Sequence, residues 1–147
     1  MFSIIKPLLF KIDPEIAHDL AIKSLKLNFL PTSFFKVENE EMLKINLFGK
    51  SFDNPIGLAA GFDKSAEVYN SIFKFGFSFI EVGTVTPFKQ YGNSKPRIFR
   101  LENDKALINR LGFNNDGSEI IYNRILSNPP KGILGINIGP NKNTLNQ

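Results

Sequence analysis

The sequence contains no cysteine and only one histidine, His18, among its 147 residues. Without cysteine the chain cannot form a disulfide, use a thiolate nucleophile, or hold zinc or an iron–sulfur cluster through sulfur. A single histidine also excludes a metal centre built from several imidazoles. We therefore predict no metal site in this chain.

Long apolar runs are missing as well. Residues 2–10 are apolar but are interrupted by Lys6 and Pro7, and they are far fewer than the roughly 20 residues that span a bilayer. No small-residue cleavage site follows them, which argues against a secretory signal. We expect neither a membrane-spanning helix nor a signal peptide.

The composition is typical of one folded domain. The chain is 42% hydrophobic and 22% charged with 15 phenylalanines, which predicts a packed core and excludes a disordered chain. A length of 147 residues suits one ordinary domain but not two complete catalytic domains.

The positive charge is concentrated in one segment. The net charge is +4, and residues 89–110 hold six basic and two acidic side chains, so that the remaining 12 basic and 12 acidic residues balance. No nucleic-acid-binding motif accompanies this charge. We predict no nucleic-acid partner.

Residues 13–15 (DPE) predict the start of a helix. Aspartate favours the N-cap, proline the first helical position, and an acid the positive end of the helix dipole. A stripe of apolar and small residues at helical spacing carries the helix to about Asn28. Its members are Ile16, Leu20, Ala21, Ser24 and Leu27. Together with the phenylalanines at 34–35, this stripe docks on the rest of the domain, lies on a membrane surface or covers a lipophilic ligand.

From Leu43 onward the pattern changes from helical spacing to alternation. Residues 43–52 alternate around a turn and predict a β-hairpin. Three short runs that follow are too apolar for strands with one solvated face, and helical patterns lie between them. The runs are residues 56–60, 77–82 and 133–138, and the helical patterns are residues 66–73 and 118–126. This order predicts an α/β fold with parallel strands covered on both faces.

Small and polar residues follow the first two predicted strands, where ligands bind in parallel α/β folds. The first strand leads into residues 57–64 (GLAAGFDK), whose small residues let a flat ligand contact the backbone while Lys64 supplies a cation. In the second strand Thr84 offers a hydroxyl next to an unobstructed backbone at Gly83. We expect a ligand at this edge of the sheet.

Other polar residues lie inside or between apolar strands. We expect Glu81 to form a structural salt bridge, because a buried acid is costly unless it is paired. We expect Asn137 to face a ligand, because an unpaired buried amide costs roughly 1–3 kcal/mol. Residues 109–115 (NRLGFNN) hold three amides and a guanidinium, which suit the edge of a heterocycle with alternating carbonyl and N–H groups.

Five motifs, in order, resemble the class 2, quinone-dependent dihydroorotate dehydrogenases. The motifs are residues 57–64 (GLAAGFDK), 81–87 (EVGTVTP), 96–101 (PRIFRL), 108–114 (INRLGFN) and 135–139 (GINIG). Residues 13–18 (DPEIAH) are similar to the amino-terminal helical extension of that class. The resemblance implies an FMN-binding (β/α)8 TIM barrel of the α/β class. Only its first strands are present, in residues 41–147, after a small helical domain over residues 1–40.

The resemblance also implies a reaction and a set of site residues. The reaction is oxidation of dihydroorotate to orotate in de novo pyrimidine biosynthesis, with FMN as cofactor and a membrane quinone as electron acceptor. The residues implied to bind FMN are Ala60, Gly61, Phe62, Asp63, Lys64, Thr84 and Asn137. Those implied to bind dihydroorotate or orotate are Lys64, Asn109, Arg110, Leu111, Gly112 and Phe113. Those implied to lie on the quinone path are His18 and Arg100.

From the residues alone, without the resemblance, His18 and Arg100 each have an alternative role. His18 would then be a solvated helix residue, and Arg100 would pair with Glu102 or Asp104.

The chain is too short for the complete barrel that the expected activity needs. A complete (β/α)8 barrel takes about 250 residues, and the resemblance implies that the family's serine base lies on a later loop, past Gln147. We therefore expect no catalytic residue in this chain and no activity from the chain alone.

The resemblance further implies peripheral membrane association through the amino-terminal helices. The membrane would be the cytoplasmic face of a bacterial inner membrane, or the mitochondrial inner membrane in a eukaryote. The alternative function is a non-catalytic fragment that binds a membrane surface or another protein, which the apolar first 35 residues favour.

Overall fold

The computed structural model describes residues 2–27 and 40–143, with side chains from residue 6 onward. The predicted helix end at Asn28 and the phenylalanines at 34–35 lie outside these described residues. The helices are α1 (Phe2–Leu9), α2 (Pro14–Lys26), α3 (Tyr69–Ile72) and α4 (Ser118–Ser127). The strands are β1 (Ile45–Leu47), β2 (Lys50–Phe52), β3 (Gly57–Leu58), β4 (Phe79–Val85), β5 (Ile98–Leu101), β6 (Ala106–Asn109) and β7 (Ile133–Ile138). Short 3-10 turns span Glu41–Leu43 and Phe73–Phe75.

Helix α2 begins where the sequence predicts. The Asp13 carboxylate accepts hydrogen bonds from the N–H groups of Glu15 at 2.9 Å and Ile16 at 3.1 Å, so it caps the first turn. One side of the helix packs on α3 and β5, whereas Ile16 and Leu20 remain half exposed. The apolar stripe therefore docks only in part on the described residues. Within that part of the chain, no helix is long and apolar enough to cross a membrane.

A three-stranded parallel sheet confirms the predicted α/β architecture. Its order is β3-β4-β7, and both pairs of neighbours are parallel. Helix α3 lies between β3 and β4 in sequence, and α4 comes just before β7. The sheet stays open among the described residues, as expected for part of a barrel. The register of β4 against β7 shifts between Val82 and Val85.

The buried core lies where α3 and α4 meet the sheet. Ile80 and Val82 of β4 are fully buried, and Tyr69, Ile72 and Ile121 from the two helices join the same cluster. Burying each such side chain contributes roughly 1.5–3 kcal/mol. Since β4 anchors this cluster, its carboxyl end is held in place at the site described below.

Apart from the exact bounds of the strands, two elements differ from the sequence prediction. The helix predicted over residues 66–73 is shorter, because Ala66 has a positive φ of 53° and the chain becomes helical only at Tyr69. The antiparallel hairpin of β5 and β6 was not predicted, although β1 and β2 form the hairpin expected over residues 43–52. The strands of the β5–β6 hairpin read IFRL and ALIN, in which apolar and polar residues do not alternate regularly.

Candidate functional site

A cavity of about 690 Å³ lies at the carboxyl ends of β3 and β4, and we call it the central cavity. It brings together residues from all three sets that the sequence singled out. Those lining it are Ala60, Gly61, Lys64, Thr84, Asn109, Arg110, Leu111, Gly112, Phe113, His18 and Arg100. Of the remaining predicted residues, Phe62 and Asp63 line a neighbouring cavity of about 410 Å³.

The floor of the central cavity is built from backbone. The Gly61 N–H donates to the Gly83 carbonyl at 3.0 Å, and the Gly83 N–H donates to the Asp63 carbonyl at 3.1 Å. Gly83 has a φ of +112°, and a Cβ added there would lie 2.5 Å from the Asn137 carbonyl oxygen. At Gly61 an added Cβ would enter open space. Small residues thus leave the backbone open to a ligand at Gly61 and lock it against β7 at Gly83.

The polar residues of β4 and β7 bind each other. The Thr84 hydroxyl donates to Asn137 Oδ1 at 2.6 Å, and Asn137 Nδ2 donates to Glu81 Oε1 at 3.2 Å. Among the described residues Glu81 forms no ion pair, so the predicted salt bridge is wrong and an amide satisfies this carboxylate instead. Asn137 does not itself line the central cavity. It binds Thr84, whose side chain does line that cavity.

Asp63 supports the loop after β3 from within the protein. It is 1% exposed, and its two carboxylate oxygens accept the N–H groups of Glu67 at 2.7 Å and Val68 at 2.8 Å. Burial raises the pKa of this carboxyl, while the two N–H groups oppose that rise. The side chain therefore holds the backbone between Lys64 and α3 in place.

Lys64 and His18 meet across the central cavity. Lys64 Nζ lies 3.2 Å from His18 Nε2, and the Phe62 ring packs edge-on against the imidazole with centroids 5.2 Å apart. Burial lowers the pKa of both side chains, and the positive Lys64 amine lowers that of His18 further. A neutral imidazole that accepts from the ammonium group fits this pair. His18 is thus partly buried and has a partner, not a fully solvated helix residue.

The segment at 109–113 is held by side chains from residues 90–93. Gln90 Nε2 donates to the Gly112 carbonyl at 2.9 Å, and Asn93 Nδ2 donates to the Arg110 carbonyl at 2.7 Å. Arg110 stacks its guanidinium over the Phe99 ring at 5.7 Å and donates to the Pro96 carbonyl at 3.2 Å. The segment therefore forms a fixed wall of the central cavity.

Arg100 connects the β5–β6 hairpin to the amino-terminal helices. Its Nη1 donates to the carbonyl of Ile12 at 2.7 Å and to that of Phe10 at 3.2 Å, and its guanidinium lies 4.9 Å from the centre of the Phe10 ring. In the structure this side chain contacts the connection between α1 and α2, and not Glu102 or Asp104. Arg100 and His18 thus line the same cavity from the hairpin and the helix.

The charge of the central cavity has one sign among the described residues. The side chains that line it include Lys64, Arg100 and Arg110 and no carboxylate. Clefts lined by one sign of charge attract ligands of the opposite sign. The arrangement suits an anionic ligand with polar ring edges.

The sequence assigns no individual site role to three residues near this cavity. Glu15 and Arg97 form a buried ion pair across 82 positions of sequence, which no local pattern could have indicated. Asn114 lines the central cavity, and its Oδ1 is buried without a hydrogen-bond partner among the described residues. Asn114 lies in the amide-rich run at 109–115, which the sequence already predicts at the edge of a heterocycle.

Comparison with known sequences points to one family. Residues 42–147 match the family model for dihydroorotate dehydrogenase. A protein of Idiomarina loihiensis named dihydroorotate dehydrogenase (quinone) is 51% identical over 145 residues, which cover 98% of this chain and 43% of that protein. A protein of the same name from Bartonella henselae is 53% identical over 139 residues, which cover 95% of this chain and 38% of that protein.

Solved structures agree with these sequence matches. The crystal structure of the Eimeria tenella DHODH in complex with ferulenol is similar with a TM-score of 0.83 and 44% sequence identity. The similarity covers 91% of this chain and 38% of that one. The chain therefore spans about two-fifths of the length of the proteins that it matches.

Proposed function

Because the chain belongs to the dihydroorotate dehydrogenase family, we propose that it forms the flavin floor and one substrate wall of a quinone-dependent member. The reaction is oxidation of dihydroorotate to orotate, in de novo pyrimidine biosynthesis, with a membrane quinone as electron acceptor. The observation that carries this proposal is the central cavity itself. It gathers small residues, amides and cations around one space, with no carboxylate among the described lining residues.

The floor of the central cavity fits the flat ring system of FMN. An added Cβ at Gly61 would occupy open space, so a ring can lie against the backbone there. The Thr84 hydroxyl donates to Asn137, which leaves its oxygen lone pairs free to accept an N–H from the ring. Ala60, Gly61, Lys64 and Thr84 would hold the flavin, with Asn137 orienting Thr84. When bound, FMN supplies the two-electron acceptor for the oxidation.

Phe62 and Asp63 contribute to this site less directly. Asp63 holds the backbone on which Lys64 is placed, through the N–H groups of Glu67 and Val68. Phe62 packs against His18. Both residues therefore fix the loop that carries the flavin contacts.

The wall at 109–113 fits the substrate. Dihydroorotate is an anion with alternating ring carbonyl and N–H groups, so it needs cations together with amides. Lys64 brings a partly buried amine to the cavity, and binding of the carboxylate would favour its charged form and oppose the effect of burial. Asn109 to Phe113 supply backbone and amide groups at the opposite side.

The quinone path would run between α2 and the β5–β6 hairpin. His18 and Arg100 line the central cavity from these two elements. Leu8, Ile16, Leu20 and Leu27 of the helical region are exposed, with Leu8 at 68% and Leu27 at 66%. Such an apolar surface suits contact with a membrane that holds the quinone. We propose peripheral association through these helices, at the cytoplasmic face of a bacterial inner membrane or at a mitochondrial inner membrane.

The proton acceptor for dihydroorotate would lie outside this chain. We assign no catalytic base within residues 1–147, and the family serine would stand on a loop of the full-length protein. The chain alone is expected to retain flavin poorly and to form no orotate. Purified 147-residue protein with stoichiometric flavin and orotate formation would contradict this expectation.

The test of the proposed function uses the full-length gene product. We expect it to purify with flavin and to convert dihydroorotate to orotate with a soluble quinone. Lys64→Ala should lower turnover about 100-fold or more, because it removes a cation that contacts the substrate. Lys89→Ala is the matched control, since it also removes a lysine amine, which lies 3.8 Å from Asp116, but Lys89 does not line the central cavity. Wild-type protein without flavin or turnover would overturn the proposal.

A second variant tests the flavin floor. Thr84→Val keeps the shape of the side chain but removes the hydroxyl that bonds Asn137 at 2.6 Å. The variant also removes the oxygen proposed to accept an N–H from the ring, and loss of such a hydrogen bond costs about 1 kcal/mol, or about a fivefold change in flavin affinity. We expect flavin retention, measured as the ratio of flavin to protein after dialysis, to fall accordingly. Unchanged retention would remove Thr84 from the flavin site.

The alternative function is a non-catalytic fragment that binds a membrane or another protein. The exposed apolar residues of α1 and α2 favour it. Liposome flotation of the 147-residue chain, abolished by Leu8→Ser with Leu20→Ser, would support this function. It would be preferred only if the full-length protein lacked flavin and turnover.

A further inference from the structure

A buried ion pair outside the assigned site residues joins α2 to the wall of the central cavity. Arg97 is 6% exposed, and its Nη2 and Nε donate to the two carboxylate oxygens of Glu15 at 2.6 and 3.1 Å. The more exposed Lys95 lies 3.2 Å from the same carboxylate. The hydrogen bonds from Arg97 hold the pKa of Glu15 below its ordinary value. The pair is therefore charged, and loss of either partner leaves the other buried without compensation.

The remaining edge of the Arg97 guanidinium binds the loop beside the cavity. Nη1 donates to the carbonyls of Tyr91 at 2.8 Å and Asn93 at 2.9 Å, and it lies 3.5 Å from that of Leu111. The Arg97 carbonyl in turn accepts the N–H of Arg110 at 2.9 Å. One residue thus contacts both the loop at 91–93 and the segment at 109–113.

The position of Gly92 supports a specific role for this contact. A Cβ at Gly92 would lie 2.6 Å from Arg97 Nη1 and 2.2 Å from the Leu111 carbonyl oxygen. The loop therefore closes around the guanidinium as tightly as backbone allows. A lysine at position 97 cannot reproduce this contact, since it lacks the planar fork that bonds several acceptors at once.

On the helix side, the ion pair governs where His18 stands. Glu15 and His18 are three residues apart on α2 and so occupy the same face of the helix. His18 lines the central cavity and lies 3.2 Å from Lys64. The Glu15–Arg97 contact, about one helical turn from His18, thus fixes the position of α2 at the edge of the central cavity.

We infer that Arg97 is a positioning residue for both sides of the central cavity. Through Glu15 it fixes the helix that carries His18, and through the loop carbonyls and Arg110 it fixes the wall at 109–113. This inference rests on the proposed function, in which His18 stands on the quinone path and residues 109–113 hold the substrate. Small displacements of such groups have large effects on reaction rates.

The test compares two variants of the full-length, flavin-loaded protein. Glu15→Gln removes the charge and one of the two acceptor oxygens that bind α2 to Arg97, and it leaves the loop contacts of Arg97. The KM for quinone should therefore rise about tenfold while that for dihydroorotate stays within about twofold. Arg97→Lys weakens both ties, so both KM values should rise about tenfold. Lys26→Gln is the control, because it removes a more exposed ion pair between the same helix and Glu67 and should change neither value.

Hydrogen exchange gives a readout that does not depend on turnover. Glu15→Gln should speed exchange of the α2 amides but not of residues 109–113, whereas Arg97→Lys should speed both. If Arg97→Lys does not fold, Glu15→Gln with its selective KM and exchange pattern decides the question alone.

The outcomes separate this inference from the proposed function. Wild-type protein that makes no orotate with quinone refutes the proposed function, and the exchange pattern still tests the positioning role. Active wild-type protein with unchanged KM values and unchanged exchange in Glu15→Gln overturns the inference. A uniform fall in kcat and thermal stability, with both KM values at their wild-type level, also overturns it, since that result marks a purely structural ion pair.

Discussion

The two sides of the central cavity are built by different physical means. The floor, on β3, β4 and β7, consists of backbone and small residues that approach closely, as at Gly83 beside the Asn137 carbonyl. The opposite side, on α2 and the β5–β6 hairpin, is held by long charged side chains such as Arg97 and Arg100, which reach backbone carbonyls and a carboxylate. Close steric fit shapes the floor, whereas long charged side chains hold the opposite side, on α2 and the β5–β6 hairpin, which we call the helix–hairpin side. Substitutions in the floor should therefore lower stability or distort the fold, whereas substitutions on the helix–hairpin side should have smaller effects.

The largest effect is expected at Gly83. Gly83→Ala places a Cβ 2.5 Å from the Asn137 carbonyl oxygen and 2.8 Å from the Val85 nitrogen, at a φ of +112°. Both contacts are with backbone of the sheet, which cannot move aside. We expect a loss of about 3 kcal/mol or more in the free energy of unfolding of the full-length protein, or failure to fold. Urea denaturation measures it.

Gly49→Ala is the matched control for this substitution. Gly49 also has a positive φ, +69°, but an added Cβ meets nothing within 4 Å. Its cost should be about 1 kcal/mol, that of the backbone conformation alone. Equal costs at the two positions would mean that close packing against β7 does not set the floor.

A smaller effect is expected at Asp63, which supports the floor from within. Asp63→Ala leaves the N–H groups of Glu67 and Val68 without their acceptor. The buried Val68 N–H costs about 1–3 kcal/mol when unsatisfied and the partly buried Glu67 N–H about 1 kcal/mol, so we expect a loss of roughly 2–4 kcal/mol in the free energy of unfolding of the full-length protein. Thermal or urea denaturation would measure it.

Asp13→Ala serves as a comparison for Asp63, because Asp13 also accepts two backbone N–H groups, at the exposed start of α2. Loss of that cap should cost about 1 kcal/mol. If Asp63→Ala costs no more than Asp13→Ala, burial does not strengthen the Asp63 contacts as argued.

The floor could be predicted from the sequence because its signals are local. The apolar runs that form β4 and β7, together with the small residues of 57–64, are enough to predict that Ala60, Gly61 and Thr84 lie close together. Parallel strands bring their carboxyl ends to one edge, so the spacing of the runs was sufficient. The interaction between Glu81 and Asn137 was not predictable, because either an ion pair or an amide can satisfy a buried carboxylate.

The amides at 109–115 indicate a binding segment, but the site roles of His18 and Arg100 on the helix–hairpin side could be predicted only through the resemblance to a known family. Glu15 and Arg97 are far apart in sequence, and a buried ion pair of that separation leaves no periodic trace. The sequence does not predict the β5–β6 hairpin because its strands, IFRL and ALIN, are short and do not alternate regularly between apolar and polar residues. The role of Arg100 at the carbonyls of Phe10 and Ile12 depends on the same long-range docking. Long side chains thus determine this side of the site without a local signature.

The smallest effect on stability is expected on the helix–hairpin side, from the titration of His18 on α2. Burial and the Lys64 amine lower the pKa of this imidazole below its ordinary value of 6.5. The unfolded chain therefore binds the proton more readily than the folded protein. Stability that is complete above the unfolded pKa is lost as the pH falls through 6.5 toward the lower folded pKa.

We expect the stability of the full-length protein to fall more steeply than that of His18→Gln as the pH is lowered through 6.5. This pH lies above the window in which Glu15 titrates, because its pKa lies below the ordinary 4.5. Urea denaturation at several pH values measures the slope for both proteins. The effect is modest because the imidazole is only partly buried and its neighbours Asp19, Glu15 and Glu67 favour the charged form. An identical slope in His18→Gln would show that His18 stays equally accessible to protons in both states, so that α2 does not seal this side of the cavity.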